Sequence, residues 1–287
     1  LGSETSGSIL SPSSANSLVG MKPTIGNVSR AGIVPISSTL DTAGPMTKFV
    51  IDNILIYNAI NDFDPLDDYS VENYDIRIKE VVDNKLEDYT IGYYKGFYER
   101  DSLYKNAIDF LVEEGVELQV IDAPQIRLEG FAKILDEDMR YDLRSYLFFY
   151  GSKNLKVEDI SSIIKYNEMD SVERAPYGQG IFKKIIQDTM SINDFEDLKF
   201  ELMSKGNEFF DIPMNEYNLD AVLSINNYHA GYAAMAHNPC LTVPMKVRKN
   251  NEPAGLTIIG KSFQEQKLYE IGYFFEKKYK GRIPPKN

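Results

Sequence analysis

The sequence has only one cysteine, Cys240, among its 287 residues. No disulfide can therefore form within the chain, and this cysteine usage is typical of a reducing compartment. We expect a cytoplasmic protein. Cys240 follows Pro239 and begins an apolar run, which favours a small buried residue.

Histidine is almost as rare, since His229 and His237 are the only two. Together with one cysteine they do not supply the ligands of a dedicated zinc site. A serine hydrolase with a histidine base would need one of them. The segment around Ser8, however, lacks the glycine two residues later that a nucleophile elbow requires, so we expect neither a zinc site nor a histidine base.

Basic residues are outnumbered by acidic ones, and the formal net charge is −12. A nucleic-acid partner is not expected, because phosphate binding needs a dense basic face and no long basic cluster occurs.

Long apolar runs are also missing from the sequence. The run VIDNILIYNAI is interrupted by Asp52, Asn53 and Asn58, so we expect no membrane-spanning helix and no membrane partner.

Serine, by contrast, is abundant at the start of the chain, which reads LGSETSGSILSPSSANSLVG. Such a segment is either a flexible linker or a catalytic loop. Small side chains allow the backbone N–H groups of Thr5, Ser6, Gly7 and Ser8 to converge on one point, as an oxyanion requires. Linkers rarely continue without a break into runs such as GMKPT, but composition alone leaves both interpretations open.

The rest of the chain alternates between strand-like and helix-like segments, which predicts an α/β fold in a single domain over residues 1–287. Residues 89–94, 103–115 and 116–122 predict the strand, helix and strand of a parallel crossover. The other predicted elements are a helix over 12–19 that ends before Gly20, extended chain over 22–45, a helix over 49–60 capped by Thr47, a surface connection over 62–75, a mainly helical region over 127–210, strands over 219–225, 240–247 and 255–260, and a closing helix over 264–279 with Leu268, Ile271 and Phe275 on its apolar face.

The first 46 residues resemble the signature region of the amidase signature family of serine hydrolases, in the branch that contains peptide amidases and other bacterial amidases. The resemblance implies that family's fold, a mixed β-sheet core surrounded by helices. A weaker likeness continues through 89–122, 160–168 and the segments HNPCLTVPM and GLTIIG. The stretches that carry the strong resemblance are the G-S-I turn at Gly7–Ile9, Pro12, GMKPT at 20–24, SRAGIVP at 29–35 and DTAGPM at 41–46.

The resemblance implies that Ser8 is the nucleophile and that the backbone amides of Thr5, Ser6, Gly7 and Ser8 form the oxyanion hole. In the family, a second serine held by a cis peptide bond passes the proton to a neutral lysine. Both residues precede the signature, so the resemblance implies the C-terminal portion of an amidase, with these two groups upstream of Leu1. Self-association, or pairing with the N-terminal part, is therefore expected.

The implied activity is hydrolysis of the C–N bond of a small-molecule carboxamide through an acyl-enzyme, with no metal or organic cofactor. One alternative is the glutaminase-like subunit of the glutamyl-tRNA amidotransferase, which usually has aspartate and arginine where Glu4 and Leu10 stand. A non-catalytic family scaffold is another. Ser6 and Leu10 depart from the usual signature, and we expect the apolar side chain of Leu10 to lie next to the site and to influence substrate preference.

Three other features invite a functional interpretation but have simpler ones. Lys22 falls on the family's K-P-T run, which is not the catalytic lysine. Ser162 and Lys165 have penicillin-recognising spacing but lack the companion motifs. The cluster Asp62, Asp64, Asp67 and Asp68 lacks the glycine and the distal glutamate of a calcium loop, so it predicts a solvated turn.

Overall fold

The computed structural model describes residues 1–285 and contains two compact units. The first comprises Leu1–Ala31, Thr42–Arg127 and Met203–Asn287, and the second comprises Gly32–Asp41 and Leu128–Leu202. The single-domain organisation over 1–287 stays a prediction, because compactness does not show whether the units fold separately.

The strands belong to the first unit. Their bounds are β1 Gly2–Glu4, β2 Val19–Lys22, β3 Thr42–Gly44, β4 Met46–Thr47, β5 Thr90–Tyr94, β6 Glu117–Ile121, β7 Ala221–Ile225, β8 Cys240–Val247 and β9 Pro253–Ile259.

The helices alternate with these strands and also fill the segment between β6 and β7. Their bounds are α1 Leu10–Ala15, α2 Val50–Ile60, α3 Ile78–Asp83, α4 Lys95–Arg100, α5 Ser102–Glu113, α6 Phe131–Tyr150, α7 Ile160–Glu168, α8 Ser171–Arg174, α9 Gly180–Gln187, α10 Ile192–Glu216, α11 Ala230–Met235 and α12 Glu265–Tyr279.

The main sheet has seven strands in the order β4-β2-β8-β9-β7-β5-β6. Strand β5 is parallel to both β6 and β7, whereas β2, β4, β8 and β9 pair antiparallel. The fold is therefore a mixed α/β fold with a mixed sheet and surrounding helices, as predicted. A separate two-stranded sheet joins β1 to β3.

The predicted crossover at 89–122 is confirmed, because β5 and β6 pair in parallel with α5 between them. The side chain of Asp101 caps α5 by accepting hydrogen bonds from the amides of Leu103 and Tyr104, both at 3.0 Å. Gly115 ends the connection at a φ of +84°, a conformation that glycine adopts without steric cost.

Alternate residues of the central strands enter different hydrophobic clusters, as the two-residue period of a strand requires. Leu223, Leu241 and Ile258 belong to a cluster that also contains the predicted apolar face of α12. Val222, Cys240 and Ile259 belong to a second cluster with residues of α10 and α11. The sheet therefore has an apolar core on each face.

One predicted helix boundary and one predicted helix cap are wrong. The helix predicted over 12–19 is α1, which begins at Leu10 and ends at Ala15, and Val19 and Gly20 belong to β2. The reason is long-range pairing, since β2 hydrogen-bonds to β8 with Gly20 opposite Thr242. Thr47 does not cap α2, because its Oγ1 donates to the carbonyl of Phe49 at 2.8 Å.

In the second unit, helices α6, α7 and α9 share a small apolar cluster. Its buried members are Leu143, Ile160, Ile164 and Ile185. The helical prediction for this region is confirmed. Among residues 1–285, no helix is both long enough and apolar enough to cross a membrane.

Candidate active site

The serine-rich opening segment is ordered structure. Residues 2–4 form β1, which pairs antiparallel with β3 so that Gly2 lies opposite Gly44 and Glu4 opposite Thr42. Glu4, Thr5 and Gly7 are buried. The flexible-linker interpretation is therefore wrong, because the segment has a strand partner and contributes to the interior.

The carboxylate of Glu4 holds the turn that follows β1. Its Oε2 accepts hydrogen bonds from the amides of Ile9 at 2.7 Å and Leu10 at 2.9 Å. The turn also passes through Gly7 at a φ of +107°. A Cβ at Gly7 would lie only 2.9 Å from Nδ2 of Asn227, so this position needs glycine for both conformation and space.

Ser8 is exposed at the end of this turn, between the buried residues Gly7 and Ile9. Within residues 1–285 its hydroxyl makes no hydrogen bond. The amide of Ser11 donates to the carbonyl of Gly7 at 2.7 Å and so fixes the turn on its other side. A serine that is exposed on an otherwise buried and hydrogen-bonded turn is accessible to a substrate.

The predicted oxyanion hole stays a prediction. In the described part of the chain, the amides of Ser6 and Ser8 donate to no protein group. The amide of Gly7 lies near the Glu4 carboxylate and helps to lower the pKa of Glu4. Ser6 and Ser8 therefore have the amides with the fewest competing acceptors.

Helix α1 places this turn on the main sheet through small residues. A Cβ at Gly20 of β2 would collide with Oγ of Ser13, and one at Gly255 of β9 would lie 2.6 Å from Oγ of Ser14. The hydroxyl of Ser14 also bonds to Thr242 of β8 at 3.1 Å. Glycines in two strands thus let a serine-rich helix approach the backbone closely.

Lys22 is fully buried, and its structural role stays a prediction. Its Nζ donates to the carbonyls of Pro23 at 3.2 Å and Asn238 at 2.8 Å. Burial lowers the pKa of Lys22, while the nearby Cys240, Glu4 and Glu265 act in the opposite direction. Burial likewise raises the pKa of Glu4 against the influence of its amide partners and of Lys22.

Cys240 is a buried small residue, as predicted. It lies opposite Lys22 in the β2–β8 pairing. Burial raises the pKa of its thiol to about 12, so the thiol is protonated at neutral pH and is not a nucleophile.

His229 is a buried residue whose Nδ1 is bonded to Oγ of Ser224 at 2.9 Å. Burial lowers the pKa of its imidazole to about 4. His237 has a left-handed φ of 56° in the turn that joins α11 to β8.

Three further interpretations can be compared with the structure. Ser162 forms a capping box with Asp159 at the start of α7, so this serine has a structural role that does not involve Lys165.

The acidic cluster is not simply a solvated turn, because Asp67 is buried and its carboxylate pairs with Arg30 at 2.7 Å. Leu10 is only 1% exposed and packs in the cluster with Ala230 and Cys240. Its expected position next to the site and its influence on substrate preference stay predictions.

Sequence reasoning missed two features of the site. One is the role of Glu4, which a carboxylate just before a helix start could have indicated. The other is a cavity of about 670 Å³ at the carboxyl ends of β5, β6 and β7. Ligands commonly bind at the carboxyl ends of parallel strands, but the pairing of β7 with β5 could not be read from the sequence.

Comparison with known proteins gives a consistent family. The profile of the family described as Amidase matches residues 1–174. A probable amidase of Arabidopsis thaliana is 29% identical over 313 residues, covering 100% of this chain and 58% of that protein. A glutamyl-tRNA(Gln) amidotransferase subunit from Staphylococcus epidermidis is 26% identical, covering 97% of this chain and 63% of that protein.

Solved structures agree with these relatives. The crystal structure of an amidase family protein from Bacillus anthracis has a TM-score of 0.91 and 31% identity, covering 100% of this chain and 58% of that one. The native peptide amidase of Stenotrophomonas maltophilia has a TM-score of 0.89 and 26% identity, covering 99% of this chain and 63% of that one.

The chain thus spans about three fifths of the length of these relatives. The family assignment does not depend on that share, because the profile matches more than half of this chain and the similar structures cover nearly all of it. The chain therefore belongs to the amidase signature family.

Proposed function

We propose that the chain supplies the nucleophile of an enzyme that hydrolyses carboxamide C–N bonds, with Ser8 forming the acyl-enzyme. The observation that carries this proposal is the exposed Ser8 on a turn that the buried Glu4 carboxylate holds through the amides of Ile9 and Leu10. Nucleophiles need such fixed placement, since a misplaced reacting atom loses much of the rate.

The reaction begins when Oγ of Ser8 attacks the carbonyl carbon of the amide and loses its proton to a base. The amides of Thr5, Ser6, Gly7 and Ser8 bind the resulting oxyanion. The C–N bond then breaks as the nitrogen receives a proton, and ammonia or an amine leaves. Water attacks the ester in the same way and regenerates Ser8.

The base is proposed to come from sequence outside these 287 residues. Within residues 1–285, Lys22 directs its Nζ at two backbone carbonyls and His229 is bonded to Ser224. We propose that the family's bridging serine and neutral lysine perform the proton transfer. A desolvated lysine is partly neutral at physiological pH and so accepts a proton through a hydroxyl.

The test uses the natural polypeptide that contains this chain. A fluorophosphonate probe should label the peptide that carries Ser8, as detected by mass spectrometry, and Ser8→Ala should abolish the label. The same substitution should lower amide hydrolysis roughly 10³-fold or more. Ser11→Ala is the matched control, since Ser11 is an exposed serine three positions away. Label or substantial turnover that persists in Ser8→Ala would refute the assignment.

A glutaminase-like function is the second candidate. It is favoured by the relatives named as glutamyl-tRNA(Gln) amidotransferase subunits, which are 26–30% identical. Against it, Leu10 stands where those proteins usually have an arginine, so this position supplies no charged group. Comparing glutamine with simple carboxamides as substrates separates the two, and we expect faster turnover of the simple carboxamides.

A further inference from the structure

A second cavity lies within the first unit, where α2, the segment 72–77 and the start of α12 come together. Asn27 and Tyr57 line it together with residues 72–77, 263, 265 and 266. Its volume of about 520 Å³ falls in the range of small-molecule sites. No described residue of the turn around Ser8 lines it, so this cavity is not part of the candidate active site.

Glu265 is the buried charged residue of this cavity, with 4% of its surface exposed. Its Oε1 accepts hydrogen bonds from the amide of Thr24 and from Nδ2 of Asn27, both at 2.8 Å. Its Oε2 accepts none from the described residues and, unlike Oε1 of Glu4, is not sealed in the interior. Because Glu265 lines the cavity, Oε2 is open to a ligand there.

No basic side chain among residues 1–285 forms an ion pair with Glu265. Burial lowers the pKa of Lys22 and the negative charge of Glu265 opposes that effect, so the two groups influence each other. The Nζ of Lys22, however, donates to the carbonyls of Pro23 and Asn238. Buried charges in proteins are usually paired, so the open carboxylate oxygen of Glu265 indicates a cation supplied by a ligand.

The opening of the cavity is also acidic. Glu72 and Asp75 both line it and are exposed. Arg77 is the one basic residue in the described lining, and its Nη2 pairs with Glu80, outside the cavity, at 2.9 Å. With Glu265, three carboxylates face one guanidinium that already has a partner. The lining therefore favours a cation over an anion.

The aromatic side chains of the lining indicate an organic cation. Tyr74 and Phe263 line the cavity and are 92% and 60% exposed, so their rings are available to cover an apolar group or a cation. In the described part of the chain, no three histidine, cysteine or acidic side chains are placed to hold a metal ion. An organic cation with an apolar body therefore fits this lining better than a metal ion.

We propose that this cavity, the cation site, binds a small primary amine whose ammonium group donates a hydrogen bond to Oε2 of Glu265. The apolar body of the amine lies against the rings of Tyr74 and Phe263, and the exposed carboxylates of Glu72 and Asp75 attract the cation to the opening. The cation site goes beyond the proposed hydrolase function and does not depend on Ser8.

The test measures ligand binding to the natural protein by isothermal titration. Three probes share one benzene ring: 2-phenylethylamine, the neutral 2-phenylethanol, and the N,N,N-trimethyl derivative of the amine, which keeps the charge but has no N–H donor. The alcohol should bind roughly tenfold or more weakly than the amine, and the trimethyl derivative roughly fivefold or more weakly, because each loses the charged hydrogen bond. Equal affinity for the amine and the alcohol would overturn the proposal.

Glu265→Gln removes the charge but keeps an amide oxygen that can accept from Thr24 and Asn27, so the fold should persist, as a thermal melt would show. Affinity for 2-phenylethylamine should fall roughly tenfold or more, and affinity for the alcohol should stay the same. Glu113→Gln is the matched control, because Glu113 is exposed and does not line the cavity. An amine affinity that is unchanged in Glu265→Gln would refute the cation site.

Tyr74→Ala tests the same site at an exposed position, where the substitution should not affect folding. It should weaken binding of 2-phenylethylamine roughly two- to fivefold, because the cation loses an aromatic face. Tyr177→Ala is the control, since Tyr177 is also exposed and does not line the cavity. If Tyr74→Ala and Tyr177→Ala bound the amine equally well, the amine would lie elsewhere and the proposal would be wrong.

Discussion

At the scale of single residues, we predict that Glu4 holds Ser8 in place. It is buried, with Oε2 bonded to two amides and Oε1 without a partner among the described residues. Glu4→Ala should lower the free energy of unfolding by about 1–3 kcal/mol, because two amides lose their acceptor in a dry site. Chemical denaturation measures this loss.

Glu87→Ala is the control for that measurement, because Glu87 is exposed and should change stability by less than about 0.5 kcal/mol. Glu4→Ala should also slow fluorophosphonate labelling of Ser8 in the folded protein. If both variants were equally stable and equally reactive, the carboxylate would have no positioning role.

Single residues of the signature region differ in how far the sequence predicts their positions. The resemblance predicts that Ser8 is the nucleophile, and an exposed position on an ordered turn is compatible with that role. It did not predict that Leu10 points into the core, because a sequence pattern does not say which side of a six-residue helix faces the sheet.

At the scale of elements, α2 is capped by a residue distant in sequence. The amide of Val50 in its first turn donates to both carboxylate oxygens of Glu276 in α12, at 3.0 and 3.2 Å. The sequence suggested Thr47 because local caps are the commoner arrangement. A cap that depends on the packing of another helix cannot be found by scanning neighbours along the chain.

This cap gives a pH-dependent stability. Burial raises the pKa of Glu276 to about 7, the Val50 amide opposes the rise and the nearby Asp52 adds to it. A carboxyl with a raised pKa binds more protons in the folded state than in the unfolded state, so stability falls as pH rises from about 4.5 to 7. Glu276→Gln, which cannot titrate, should lack this part of the decline.

Denaturation at pH 5 and pH 8 tests that prediction. The difference between the two pH values should be smaller in Glu276→Gln by on the order of 1 kcal/mol, after allowance for the partial exposure of the group. Glu252→Gln serves as the control, because Glu252 is exposed. An unchanged pH dependence in Glu276→Gln would show that this carboxyl titrates normally.

Elements with strong local patterns were predicted well, and those that depend on distant partners were not. The crossover at 89–122, strands β7 to β9 and helix α12 follow from apolar periodicity and from glycine at helix ends. Strand β2 was partly assigned to a helix, because its conformation is imposed by β8, more than 200 residues away in the sequence.

At the scale of the whole molecule, the sequence predicted the α/β class but not the strand order. The neighbours β2 and β8, and β7 and β9, are joined across long stretches of chain, and no local pattern encodes which of several apolar strands become neighbours. The cavity at the carboxyl ends of β5, β6 and β7 shares this origin, since it depends on the pairing of β7 with β5.

A polypeptide that consists only of residues 1–287 should hydrolyse amides slowly. Ser8 would keep its backbone donors, but no described group accepts its proton, so the hydroxyl would stay almost wholly protonated at neutral pH. Serine enzymes without their triad retain roughly 10³- to 10⁴-fold catalysis over water, far below normal turnover.

The same polypeptide should also self-associate, because apolar side chains such as those of Phe49 and Leu55 are 51% and 56% exposed. Turnover and light scattering on a chain verified by intact mass measure both properties. Ordinary turnover by a monomer, abolished in Ser8→Ala, would place a base within this sequence, and Lys22→Met would then test the buried lysine nearest the turn in sequence.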